Sequence, residues 1–224
     1  PKTFAVFTLN NPFTLGVQRG MLPHVEKMGS TVAVNEVYDQ ATTDFTALVQ
    51  KAKAANADAV ALLSYYPDSV LLTRTMSELG FKPKTSFNAI SSNLPTWTAD
   101  LKELGEGALS PAQVLPDLPY KDVDRLVAFL KEEFKTDTIS SQAGWAITTA
   151  QILHAGVEGC GKIDQDCIAN WLRSNTIETA SGPIKYDQDG VPEYRSVLTQ
   201  VQNGKVVPVY PKEVAKAQVA YPLK

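Results

Sequence analysis

Short apolar runs alternate with helix-period stretches through the first half of the chain. Thr3–Leu9 (TFAVFTL) and Asp58–Ser64 (DAVALLS) are continuous apolar runs of strand length. Ser30–Tyr38 (STVAVNEVY) and Thr85–Ser91 (TSFNAIS) read as two more strands, and Gly107–Leu115 as a fifth extended segment. Runs without polar alternation belong to strands covered on both faces. Between them lie four helical stretches. Phe13–Gly29 is expected to be interrupted at Pro23. Thr42–Asn56 has Phe45, Leu48, Val49 and Ala52 on one face, with Thr43 or Asp44 as N-cap. Pro67–Gly80 has Pro67 near its first turn and Gly80 at its C-cap. Leu94–Gly105 is the fourth. Strand and helix in alternation predict an α/β fold, a doubly wound, mostly parallel sheet with right-handed crossovers.

The pattern changes after Ser110. Pro111, Pro116 and Pro119 mark Ser110–Tyr120 as a linker or crossing. Three helical stretches follow: Lys121–Phe134, with Val123, Leu126, Val127, Leu130 and Phe134 in one stripe, then Ser140–Gly159 and Gln165–Asn175. Ser181–Tyr210 reads as hairpins turning at Asp187–Gly190 and Gln202–Lys205, and the tail is irregular. The later helices have apolar faces but no parallel strands of their own to cover.

Composition is ordinary: 224 residues, 44% hydrophobic, 20% charged, net charge -3. That balance offers no electrostatic case for nucleic acid or an anionic membrane. No apolar run approaches the ~20 residues of a membrane-spanning helix. The chain opens with a strand already under way rather than with a signal peptide, as a mature or trimmed protein would.

Candidate chemistry is sparse. His24 and His154 read as surface or packed histidines, and no GxSxG, GxGxxG or GxxxxGK[ST] stretch is present. With two histidines and two cysteines a metal site is not indicated, and no cofactor is expected. The Asp187–Gly190 turn echoes a calcium loop but lacks its twelve-residue ligand pattern. Cys160 and Cys167 flank a short loop; they are either a disulfide formed in an oxidising compartment or two free buried thiols. These features point away from an enzyme. Ligands in a doubly wound sheet sit beyond the carboxyl ends of the strands. There the chain has Asn10, Asn11 and Phe13, then Tyr38–Thr42, then Tyr65 and Tyr66 with the chain to Asp68, then Ser91 and Asn93. A tyrosine at such a place offers a flat apolar face and a hydroxyl. Of the adjacent pair, Tyr65 is expected to meet a ligand and Tyr66 to pack under the next helix. Trp97, Trp145 and Trp171 are expected to be packing residues.

Five stretches in order carry a resemblance: Asn10–Gly16 after an apolar strand, Val37–Leu62, Leu72–Lys84, Trp145–Gly159 and Thr176–Pro211. In the last, Thr179, Gly182, Asp187, Gly190 and Gln200 are the marked positions. The chain resembles, over essentially its whole length, the type I periplasmic solute-binding proteins of ABC importers, branched-chain-amino-acid (Leu/Ile/Val) type. That resemblance implies two hinged lobes with a small-molecule ligand between them, importer membrane subunits as partners, and a periplasmic or membrane-tethered extracellular location. It further implies that residues 1–111 and 196–224 form the second lobe. Residues 112–195 would be a crossing segment and the C-terminal part of the first lobe, whose N-terminal part would precede residue 1. Tyr65 matches a ligand-contacting tyrosine of the family. Phe13 stands where amino-acid binders often carry another tyrosine. The Ser91-Ser92-Asn93 loop lacks the carboxylate that often pairs with a ligand ammonium. An unpaired ammonium in a closed cleft is costly. These departures favour a carboxylate with an apolar or aromatic body over a free amino acid. A sensor built on the same fold is the alternative to transport.

Overall fold

The computed structural model describes residues 1–223 apart from Asp117, Asp137, Tyr194 and Arg195, so part of the Ser110–Tyr120 crossing and the 195/196 boundary lie outside the described residues. The elements of the first half are β1 (Thr3–Leu9), α1 (Pro12–Lys27), β2 (Thr31–Tyr38), α2 (Thr46–Ala54), β3 (Ala59–Leu63), α3 (Tyr66–Glu78), β4 (Thr85–Asn88), α4 (Pro95–Leu101) and β5 (Ala108–Ala112). Later come α5 (Val123–Phe134), α6 (Ser141–Cys160), α7 (Gln165–Ser174), β6 (Ile177–Thr179), β7 (Gly182–Tyr186), β8 (Pro192–Glu193), β9 (Val197–Gln202) and β10 (Lys205–Tyr210).

Two compact units are present. One comprises Pro1–Pro111, Leu198–Tyr210 and the chain from Ala215 onward; the other comprises Ala112–Val197 and Pro211–Val214. The first unit is built on a seven-stranded sheet of order β10-β9-β5-β4-β3-β1-β2. β1 pairs in parallel with both β2 and β3, and β4 in parallel with β3 and β5. β9 and β10 form an antiparallel hairpin turning at Asn203-Gly204.

The apolar runs explain the layers. In β1, Ala5, Phe7 and Leu9 point to one face, where they pack with Val60 and Leu62 of β3 against Phe45, Val49, Leu72 and Met76 from α2 and α3. Val6, Ala61 and Leu63 point to the other face and meet Val17, Met21 and Leu22 of α1. A strand buried on both faces needs an apolar residue at every position, which is what these runs supply. Beyond β5, Trp97 and Leu101 of α4 close the layer over Ala108 and Val201. Trp97 is fully buried, and its Nε1 donates to the Gly105 carbonyl at 3.0 Å.

The structure corrects several local expectations. α1 runs unbroken through Pro23. Pro23 lies on the exposed face, where the ring adds no clash with the core and water can serve the freed carbonyl. α2 is capped by Phe45; Asp44 still serves the helix start, its Oδ1 accepting from the Thr46 amide at 2.8 Å. At the end of α3 the C-cap is Leu79, and Gly80 follows it at φ +61°, the left-handed conformation that glycine reaches without penalty.

The second unit holds α5, α6 and α7 and the three-stranded sheet β6-β7-β8. Cys160, at the end of α6, and Cys167, in α7, are joined in a disulfide. Trp171 of α7 lies against Gly159, where an added Cβ would collide with its ring. Trp145 departs from the packing expectation: it is 40% exposed, on an α6 face where Leu153 is also exposed.

Candidate functional site

The strand order places a topological switch point between β1 and β3. After β1 the chain turns to one face of the sheet, into α1; after β3 it turns to the opposite face, into α3. The two connections diverge at the carboxyl ends of the strands, the place where open α/β sheets form a ligand crevice. The residues at its lip are Asn10, Asn11 and Phe13 on one side and Tyr65 on the other.

Local chemistry shapes the β1 side. Asn11 adopts an extended conformation and its Oδ1 accepts from the Thr14 amide at 3.0 Å, capping α1 directly before Pro12. Thr14, buried, turns its hydroxyl back to the Leu9 carbonyl. Asn10 ties this turn to the next strand: its amide donates to the Tyr38 carbonyl at 2.8 Å and its Nδ2 to Asp39 Oδ1 at 3.1 Å. With the turn held, Phe13 stands on the first turn of α1, 46% exposed.

Across the crevice, Tyr65 is the N-cap of α3 and is 43% exposed. The Phe13 and Tyr65 rings are nearly parallel, 13° apart, with centroids 6.4 Å from one another. Fifty-two positions apart in sequence, they form one aromatic platform. Both aromatic faces remain partly open to solvent, so covering them with a ligand would be favourable.

Tyr66 goes elsewhere. It packs beside Trp97 and Leu101, and its hydroxyl donates to Asp100 Oδ2 at 2.7 Å. Burial, opposed by a hydrogen bond with Thr96 and reinforced by Asp100, raises its pKa. Ser91 and Asn93 also turn inward. Ser91 is fully buried and hydrogen-bonded to Ser69 at 2.9 Å; Asn93 is 8% exposed and its Nδ2 donates to the Pro111 carbonyl at 2.7 Å. Both therefore support the rim from behind. Of the sequence candidates, the fold brings Phe13 and Tyr65 into contact, keeps Asn10 and Asn11 in the turn beside Phe13, and turns the side chains of Tyr66, Ser91 and Asn93 to other partners.

Three buried side chains outside the candidate set, Tyr38, Ser64 and Ser69, stand behind these residues. Tyr38, at the end of β2, is buried edge-to-face on Phe45, and its hydroxyl donates to Asp68 Oδ2 at 3.0 Å. Burial, then the Asp68 carboxylate, drives the Tyr38 pKa far up, so the phenol stays protonated. Ser64 and Ser69, both fully buried, are hydrogen-bonded at 2.8 Å. The signal for Ser64 was present: a hydroxyl closing an otherwise apolar strand. Among the described residues no group of three or more His, Cys, Asp and Glu side chains converges as a metal site. A cleft of about 630 Å³ also opens on this unit, beside Met76, Phe81, Glu106 and Leu223 near the starts of β4 and β5. None of the candidate residues lines it, and it lies at the wrong ends of the strands for a switch-point site.

Comparison with known proteins agrees with this architecture. Residues 1–205 match the family model described as periplasmic binding protein, and the chain belongs to that family. A leucine-, isoleucine-, valine-, threonine- and alanine-binding protein of Pseudomonas aeruginosa is 27% identical over 189 residues, which is 84% of this chain and 50% of that protein. A Leu/Ile/Val-binding protein homolog of Brucella abortus is also 27% identical, over 88% of this chain and 52% of its own length. The chain thus spans about half the length of the curated relatives it matches. Among solved structures, a leucine binding protein from Thermotoga maritima superposes with TM-score 0.79 at 24% identity, covering 92% of this chain and 59% of that one. A leucine-, isoleucine-, valine-, threonine- and alanine-binding protein from Brucella ovis gives 0.80 at 16% identity, over 100% and 61%. At these identities the structures establish the fold.

Proposed function

We propose that this chain is part of the solute-binding component of an ABC importer and that it does no catalysis. The unit containing residues 1–111 and the chain from about 196 is the second of two hinged lobes. The remainder belongs with the first lobe, and the facing wall comes from the other half of a protein of the relatives' length. A small organic solute is caught between the two walls. Bridging both, it stabilises the closed state over the open one. Such a protein works in the periplasm, or outside the cell on a membrane tether, and hands its solute to the importer's membrane subunits.

The Phe13–Tyr65 platform carries this reading. Two exposed, parallel rings at the switch point suit the apolar or aromatic body of a ligand. Phe13 lacks a hydroxyl and the Ser91-Ser92-Asn93 loop has no carboxylate, so the favoured solute is a carboxylate rather than a free amino acid. A second reading, a branched-chain or other amino acid, is favoured by the names of the relatives. A thermal-shift panel on the full-length protein separates them: leucine and valine against phenylacetate and aliphatic carboxylates. Ligand at a hundred times its Kd adds about 2.7 kcal/mol. Stabilisation by the carboxylates supports the first reading. Stabilisation by leucine or valine alone moves the protein to the second, and no response to any of them counts against solute capture of either kind.

A further inference from the structure

We infer that Ser69 is a positioning residue for the proposed solute-binding surface, tying the turn that carries Tyr65 to the loop that carries Ser91 and Asn93. Its hydroxyl is the middle member of a buried chain. Ser64 Oγ lies 2.8 Å from Ser69 Oγ, and Ser69 Oγ lies 2.9 Å from Ser91 Oγ. All three residues are fully buried. They come from three different places: the end of β3, the first turn of α3, and the loop after β4.

A hydroxyl has one proton to donate and two lone pairs. Ser69 can therefore donate to one neighbour while accepting from the other, and each bond polarises the next. Its backbone acts on the same turn, since the Ser69 amide donates to the Tyr65 carbonyl at 3.0 Å. The far end of the chain continues outward: two residues past Ser91, Asn93 is anchored to the Pro111 carbonyl at the end of β5.

Burying hydroxyls is costly unless they are paired; both bonds of this chain run through Ser69, and Ser64 also meets the Tyr38 hydroxyl. Moving the Tyr65 turn relative to the Ser91 loop would break a hydrogen bond that water cannot replace without opening the core. The turn and the loop therefore move as one piece. A surface held in advance loses less freedom when a ligand settles on it. Alanine at position 69 would keep the helix but leave the Ser64 and Ser91 hydroxyls without their shared partner.

The tie itself is tested without ligand, by amide hydrogen exchange on the full-length protein with Ser69→Ala, Ser91→Ala and the double variant. Each single change is expected to speed exchange about fivefold to tenfold in both residues 65–69 and residues 89–93, with β1 and β3 unaffected. The double variant is expected to add nothing further. Faster exchange confined to the segment bearing the substitution, or effects that multiply in the double variant, would overturn the inference. Should Ser69→Ala fail to fold, Ser91→Ala decides alone, by whether exchange rises in residues 65–69. The functional half rests on the solute-binding reading. Whichever of phenylacetate and leucine binds the wild type should bind Ser69→Ala about fivefold more weakly, and equal affinity overturns that half. If the wild type binds neither, the solute reading fails, and the exchange pattern still decides the tie.

Discussion

Tyr65 and Tyr66 are consecutive in the chain, yet one ring stacks on Phe13 in the open and the other packs beside Trp97 with its hydroxyl on Asp100. The division follows from where α3 begins. Tyr65 is the extended residue before the helix, and Tyr66 is the first residue inside it. Side chains on either side of such a boundary leave the backbone in different directions.

That division predicts different consequences for the two tyrosines. Tyr65→Ala should weaken solute binding by tenfold or more, as loss of an aromatic anchor commonly does, with little change in melting temperature. Tyr66→Phe should leave affinity alone and lower stability by about 1 kcal/mol through loss of the Asp100 hydrogen bond. Calorimetric titration and chemical denaturation of both variants would check the pair; unchanged affinity in Tyr65→Ala removes it from the site.

Trp97 should be among the most sensitive core positions. It is the largest fully buried side chain among the described residues, and its indole nitrogen pairs with Gly105. Replacement by alanine leaves a large cavity and an orphaned carbonyl, and should destabilise the protein by about 3–5 kcal/mol. The Gly105 side of the contact is equally tight, since an added Cβ would sit 2.6 Å from Trp97 Nε1. Urea denaturation of Trp97→Ala and Gly105→Ala tests both faces of one contact.

Acid sensitivity should have a component from Asp58. Its carboxylate accepts from Lys84 Nζ at 2.6 Å and from the Lys2 amide at 2.8 Å, which hold its pKa down to about 2 against an ordinary 3.8. A carboxyl depressed in the folded state binds its proton more readily when unfolded, so its contribution is present above pH 3.8 and is lost as pH falls toward 2. Asp58→Asn should therefore be less stable than wild type at neutral pH, with the gap narrowing between those two values. Denaturation midpoints across that range would show it; a gap independent of pH would contradict the assignment.

The Cys160–Cys167 disulfide closes a loop between α6 and α7, seven positions apart. Intact protein should take up alkylating reagent only after reduction, two labels per chain by mass. Replacing both cysteines with serine should cost about 2 kcal/mol, because a short closed loop removes a modest amount of unfolded-state entropy. Labelling without reduction would mean that the bond is absent.

Much of the framework can be read from the chain because its causes are local. The continuous apolar runs at Thr3–Leu9 and Ala59–Leu63 have the length and pattern of strands covered on two faces, and that is where they lie. The Asp187–Gly190 turn is similarly self-contained: Asp187 Oδ1 accepts from the amides of Asp189 and Val191, and Gly190 sits at φ +80°. Thr179 Oγ1 donates to the Gly182 carbonyl three residues on. Residues within a few positions of each other meet whatever the rest of the molecule does.

Gln200 marks the boundary of that legibility. It stood out by position in the sequence, but its work is done at a distance: fully buried, it donates to the carbonyls of Gly107 and Ala220 and accepts from the Ala220 amide. The α/β layering, the turns and the segments that reach the carboxyl ends of the strands follow from the chain alone, since periodicity and turn chemistry act over a few residues. That Phe13 meets Tyr65, that Ser91 and Asn93 face inward and that α1 continues past Pro23 emerges when the elements are assembled. Those outcomes depend on strand order and on which face each helix covers, and both are settled by burial summed over the whole sheet.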